Sequence, residues 1–224
     1  MKYKLIVFDI AGTTLQDDND VVTHAFTEAF RKVGIEPAES KIKQVMGYKK
    51  IDAINMVLSD MSIEHSEEFS DEIHTHFLEI LNHYYQNHDI HEIDGSTKTF
   101  TALKENGYRV ALNTGFSRST TDIILKQLGW DNRLVDATIC SDEVDSGRPS
   151  ADMINQLAGQ FHITDNREIV KIGDTPSDLL EGKNAGCGLV IGVLHGTHSA
   201  EELKPFPHDY LVSNMNELLS ILTD

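Results

Sequence analysis

Short apolar runs alternate with longer stretches of helical periodicity along most of the chain. The runs "YKLIVFD" (3–9), "YRVALNT" (108–114), "DATICSD" (136–142), "EIVKIGD" (168–174), "GLVIGVL" (188–194) and the weaker "DYLV" (209–212) predict strands. Several are almost continuously apolar, as strands are when both faces of a parallel sheet are covered. Between them the apolar spacing predicts helices over 95–106, 117–129, 150–161, 176–186 and 214–223. Strand–helix alternation of this kind predicts an α/β protein, a doubly wound, mostly parallel Rossmann-like sheet.

One interval breaks the rhythm. Between Asp20 and His91 no strand pattern appears, and "VVTHAFTEAFRKVG", "SKIKQVMG", "KKIDAINMVLSD" and "SEEFSDEIHTHFLEILNHYYQNH" all carry helical periodicity. This predicts an inserted all-helical cap domain over residues 17–91, with 1–16 plus 92–224 forming the α/β core. The apolar "NMVL" and "FLEIL" stretches serve either the cap's own core or a dimer surface, so monomer and homodimer both stay open.

The chain has 224 residues, enough for one sizeable domain with an insertion. Its formal net charge of −17 argues against nucleic acid or an anionic membrane as partner, because both need clustered Lys and Arg. An anionic substrate would then need a local cationic site or a metal. The two cysteines, Cys140 and Cys187, make no disulfide framework and fit a reducing cytoplasm. Asp9 interrupts the first apolar run, so no leader pattern is expected, and no apolar run approaches the ~20 residues of a membrane span.

In an open parallel sheet, ligands bind beyond the carboxyl ends of the strands. Polar residues fall there repeatedly: Asp9 after the first strand, Asn113-Thr114-Gly115 after the second, Ser146-Gly147-Arg148-Pro149 beyond the third, and Gly173-Asp174-Thr175-Pro176-Ser177-Asp178 after the fourth. An acid ending a buried strand is costly unless it has a task. Asp9, Asp174 and Asp178 are suited to hold Mg²⁺, a hard cation that prefers oxygen ligands. A Thr hydroxyl and turn amides can donate to phosphoryl oxygens, and the planar fork of Arg148 can clamp them. An Asp carboxylate can also attack phosphorus and form an aspartyl-phosphate.

With "FDIAGTT" (8–14), "LNTG" (112–115), "GRP" (147–149) and "GDTPSD" (173–178) in this order, the sequence resembles the haloacid dehalogenase (HAD) superfamily of hydrolases over essentially the whole chain. The resemblance implies that Asp9 is the nucleophile and a Mg²⁺ ligand, and that Ala11 offers the metal its backbone carbonyl. Asp174 would bind the metal, with Asp178 as direct or supporting ligand. Arg148 would stabilise phosphoryl charge, and Gly12, Thr13, Met46, Thr114 and Gly115 would bind substrate.

Most phosphatases of this superfamily carry a second Asp where Ala11 stands. The branch that is similar here is phosphonatase, phosphonoacetaldehyde hydrolase, whose first motif also reads Asp-x-Ala-Gly-Thr. Its cap carries a Met-Gly-x-x-Lys-x-Asp stretch whose Lys forms a Schiff base with the substrate aldehyde. Here Met46-Gly47-Tyr48-Lys49-Lys50-Ile51-Asp52 matches it and singles out Lys50. A phosphonate has no leaving oxygen to protonate. Its carbon needs an electron sink, and an iminium on Lys50 would be one. Burial, or a neighbouring cation such as Lys49, would favour the free amine this needs.

The departures are Ala53, Phe116 and Asn19, where phosphonatase has His, Tyr and Cys. On periodicity alone, a Lys in a Lys-Lys pair is a solvated surface residue. The histidines at 74, 76, 83, 88 and 91 share no consistent helical face, so no metal cluster is expected from them. The function expected is Mg²⁺-dependent hydrolysis of a small phosphonate or phosphate ester. The alternatives are a phosphate monoester phosphatase of the phosphoglycolate phosphatase kind with no Schiff base, or a non-catalytic protein that binds a phosphorylated metabolite.

Overall fold

A computed structural model of the protein describes residues 2–17 and 20–223. Asn19 lies outside the described residues. The apolar runs form β1 (Leu5–Phe8), β2 (Arg109–Thr114), β3 (Ala137–Cys140), β4 (Ile169–Gly173), β5 (Leu189–Val193) and β6 (Tyr210–Val212). The insertion contributes α1 (Val21–Lys32), α2 (Glu39–Gln44), α3 (Lys50–Asp60) and α4 (Glu67–Asn87). The sheet is flanked by α5 (Ser96–Glu105), α6 (Arg118–Leu128), α7 (Asp152–Gln160), α8 (Pro176–Asn184), α9 (Ala200–Leu203) and α10 (Met215–Thr223).

The six strands pair in parallel in the order β3-β2-β1-β4-β5-β6. This is the doubly wound Rossmann order, and it reverses between β1 and β4, where such sheets bind ligands. Side chains alternate between two apolar layers. Ile6, Phe8, Leu112 and Ile172 face Phe100 of α5 and Leu218 of α10. Leu5, Val7, Ala111 and Ile169 face Met153, Ile154 and Leu157 of α7. Burial on both faces is why these strands read as unbroken apolar runs. The short α9 was not expected. Its signal was present in the sequence as a capping box, Ser199 with Glu202 three residues on.

In the insertion, α1 packs along α4, with the rings of Phe26 and Phe77 4.5 Å apart. Of the two stretches that left a dimer surface open, Val57, Leu58, Phe77 and Leu81 are buried within this chain, while Met56 is exposed. The chain crosses between core and insertion on two adjacent segments. Gln16 N donates to His91 O at 2.9 Å and Ile93 N to Thr14 O at 2.8 Å. Among the described residues no helix is long and apolar enough to cross a membrane.

Candidate active site

Register brings the polar residues together. Phe8 lies opposite Leu112 on one side and Ile172 on the other, so Asp9, Asn113 and Gly173 emerge side by side. Asp9 N continues the ladder to Ile172 O at 2.9 Å. Immediately after it the chain turns. The amides of Thr14 and Leu15 donate to Ile10 O, and Thr14 Oγ1 donates to Asp9 O at 2.9 Å. The Asp9 carboxylate is thus held at the sheet edge, 4% exposed.

Arg148 organises the site beneath it. Its Nη1 donates to Asp9 Oδ1 at 2.7 Å, its Nη2 to Asn113 O and Oδ1 at 2.6 and 2.7 Å, and its Nε to Glu181 Oε2 at 3.1 Å. A second cation, Lys171 on β4, lies 2.8 Å from Asp178 Oδ1 and 3.2 Å from Glu181 Oε2. Sequence reasoning missed Lys171 and Glu181. The signal for Lys171 was a lysine inside the buried apolar run "EIVKIGD". A lysine there needs buried carboxylates to compensate it.

The acids respond to this setting in different ways. Burial lifts the Asp9 carboxyl to about 7; Arg148 opposes the rise, while Asp178 and Asp174 add to it. Burial, reinforced by Asp178, lifts Asp174 to about 6, although Thr197 N (2.7 Å) and Thr13 Oγ1 (3.0 Å) donate to it. Burial also works against Asp178, but Arg148 and Lys171 outweigh it and hold that carboxyl below its usual value. Asp178 Oδ1 is held by ion pairs to Lys171 at 2.8 Å and to Arg148 at 3.0 Å. Its Oδ2 completes the cap of α8 by accepting from Thr175 N at 3.2 Å.

One oxygen from each of Asp9, Asp174 and Asp178 lies within 4.8 Å of the other two, the one such metal-capable group among the described residues. The donor set of hard carboxylate oxygens suits Mg²⁺. Charge agrees. The buried carboxylates Asp9, Asp174, Asp178 and Glu181 outnumber the buried cations around them, Arg148, Lys171 and, across the cavity, Lys50.

Above Asp9 a small cavity of about 20 Å³ is lined by Ala11, Asp17, Met46, Lys50, Thr114, Gly115 and Phe116. That is room for about one water, so the insertion is closed over the site. Gly47 and Gly115 permit the close seam. A Cβ on Gly47 would sit 2.2 Å from Ser177 Oγ, and one on Gly115 would sit 2.4 Å from Tyr48 O. Two predicted substrate contacts do not line this cavity: the Gly12 amide is bonded to Leu15 O and the Thr13 hydroxyl to Asp174. Thr114 Oγ1 lines it while accepting from Phe116 N at 3.1 Å.

Lys50 is not a solvated lysine. Lys49 Nζ reaches outward to Val144 O at 3.2 Å, whereas Lys50 turns inward and is 4% exposed. The Lys50 ammonium lies 5.4 and 5.2 Å from the ring centroids of Phe26 and Phe116. Burial lowers its pKa to about 8; Asp9 opposes the drop and Arg148 assists it. The assisting cation is therefore Arg148 rather than Lys49. Lys50 also opens α3, where the helix dipole disfavours an ammonium.

The haloacid dehalogenase-like hydrolase family model matches residues 6–192, and the chain belongs to that family and is a hydrolase. Within the family the chain is similar to a phosphonoacetaldehyde hydrolase of Bacillus mycoides, 31% identical over 210 residues that cover 88% of this chain and 78% of that one. Two solved structures share the fold. A phosphonoacetaldehyde hydrolase-like protein of Oleispira antarctica has a TM-score of 0.85 at 22% identity, covering 100% of this chain and 92% of that one. A predicted phosphoglycolate phosphatase of Haemophilus somnus has a TM-score of 0.81 at 19% identity, covering 100% and 99%.

Proposed function

We propose that the protein cleaves the carbon–phosphorus bond of a small phosphonate bearing a β-carbonyl, through a Schiff base on Lys50 and an aspartyl-phosphate on Asp9. The observation that carries this reading is the shared cavity: the buried Lys50 amine and the Asp9 carboxylate line the same small space. The lowered pKa of Lys50 supports it, because only the free amine adds to a carbonyl.

Asp9, Asp174 and the Ala11 carbonyl would hold Mg²⁺, with Asp178 behind them. When bound, the ion would neutralise charge on the phosphoryl oxygens and the carboxylates. Arg148 fixes Asp9 Oδ1, which leaves the other carboxylate oxygen to attack phosphorus. As that O–P bond forms, the C–P bond breaks, and its electron pair flows into the iminium to give an enamine. Protonation and hydrolysis of the enamine restore the Lys50 amine, and water releases phosphate from Asp9.

Borohydride trapping with phosphonoacetaldehyde, read by peptide mass spectrometry, tests the reading. It expects a reduced adduct on Lys50, absent in K50R. A second reading, a phosphate monoester phosphatase, is favoured by Ala53 and Phe116, which lack the His and Tyr of phosphonatases. Phosphate release from simple esters with no adduct on Lys50 would establish that reading instead.

A further inference from the structure

Schiff-base chemistry needs a group to take and return protons, and the usual positions offer none. Residue 11 is Ala, Ala53 lies one turn below Lys50, and Phe116 has no hydroxyl. Among the described residues two carboxylates line the cavity, Asp9 and Asp17. Asp9 is bonded to Arg148. Asp17 lies where the chain enters the insertion. It is half-buried, and its Oδ1 accepts from Val22 N at 3.4 Å, near the start of α1. Asp17 and Lys50 line the same cavity, which has room for about one water to bridge them.

We infer that Asp17 is the proton-transfer residue of this cavity, shuttling the Lys50 proton during Schiff-base formation. The inference rests on the Schiff-base reading above. The step balances as follows. The Asp17 carboxylate takes a proton from the Lys50 ammonium. The freed amine adds to the substrate carbonyl, an N–C bond forms, and a proton passes from nitrogen to oxygen, giving a carbinolamine. Asp17 then gives its proton to the hydroxyl, which leaves as water while the nitrogen lone pair forms the iminium. The ammonium and the aldehyde have become iminium and water, and Asp17 is a carboxylate again.

The electrostatic setting suits the shuttle. Burial, then Asp20, lifts Asp17 to about 6 against the Val22 and Val21 amides and the Lys50 ammonium. Lys50, at about 8, is faced by Asp9, Arg148 and Asp178 from the core and by His74 from α4. Near pH 7 the resting pair is therefore carboxylate and ammonium, and moving the proton between them costs a factor of about 100 (from 8 to 6). The phenol of Tyr85 on α4 adds a second sign. It is 1% exposed and makes no hydrogen bond among the described residues. Burial and then the Asp17 carboxylate hold it well above its usual pKa. Buried polar groups seldom go unpaired, so a hydroxyl left open within electrostatic reach of Asp17 suits a polar partner there.

D17N and D17S test the inference, because both keep an oxygen that can accept from the start of α1 but neither carries a titrating proton. With phosphonoacetaldehyde and Mg²⁺ present, borohydride trapping at Lys50 is expected to slow about 100-fold in either variant that folds. The low-pH limb of the wild-type trapping rate, expected near pH 6, should vanish, and the melting temperature should hardly move. Wild-type trapping with an unchanged rate and pH profile in both variants overturns the role of Asp17 and leaves Lys50 standing. No adduct in the wild type overturns both.

Discussion

The two walls of the cavity are built on opposite principles. On the core side, Asp9, Asp174, Asp178, Glu181, Arg148 and Lys171 form a dense lattice in which nearly every charged atom has a partner within about 3 Å. On the insertion side, Lys50 and Asp17 stand among Phe26, Phe116, Val22 and Met46, with no ion pair between them among the described residues. On the proposed function, the lattice would hold the phosphoryl-transfer groups in place before substrate binds. The sparse wall leaves single ionisable groups whose pKa values are set mainly by burial, which is how a fold tunes an amine or a carboxyl toward neutrality.

The sharpest separation of the walls comes from Asp9→Asn. Phosphate release should fall by on the order of 10⁴-fold or more, since no nucleophile remains. Lys50 should still trap carbonyl compounds. Loss of trapping in this variant would mean the walls are not independent. EDTA should act in the same direction: phosphate release stops while the adduct on Lys50 persists. Melting should also fall as the metal leaves, because the buried carboxylates lose their counter-charge. Phosphate release that continues in excess chelator would remove Mg²⁺ from the account. K50R breaks the other wall. Carbon–phosphorus cleavage should drop about 10³-fold with the Mg²⁺ dependence of thermal stability unchanged.

The strands, their parallel order and the helical insertion were legible because burial on two faces and helical periodicity leave direct traces in sequence. So were the four motif positions, since register brings the ends of β1, β2 and β4 to one edge. The lattice under Arg148 was not. Glu181 sits in mid-helix on α8 and becomes a site residue through tertiary contacts with Lys171 of β4, Asn113 of β2 and Arg148. Asp17 gave no motif either; its place beside the site shows only where it and Lys50 of α3 line one cavity. Lys50 was legible through its Met-Gly context. Its inward turn was not, because Lys49 and Lys50 look alike until the carbonyls of Val144 and Asp145 claim one of them.

Lys171→Met should destabilise the fold by about 3–5 kcal/mol in urea denaturation, because it leaves Asp178 and Glu181 buried without their ammonium. A loss below about 1 kcal/mol would show that the lattice relaxes around single charges as easily as the other wall does.

Lys50→Met should do the reverse. A lysine whose pKa falls from 10.5 to about 8 on folding is more easily deprotonated in the folded state. For a base shifted this way, the native state is favoured fully above the unfolded value and loses that advantage as pH falls through about 8. At pH 7 the lysine therefore works against folding. The drop corresponds to on the order of 3 kcal/mol, an upper bound that the cation–π contacts with Phe26 and Phe116 already reduce. Methionine keeps an unbranched apolar stem of similar length and removes the charge. The variant should melt a few degrees higher than the wild type at pH 7, with the gain shrinking as pH rises above about 8 and vanishing above about 10.5, where the wild-type amine is neutral in both states. A gain that ignores pH would trace to packing alone. A loss at pH 7 would show that the ammonium is held by partners strong enough to offset its burial, and that the two walls are less different than their contacts imply.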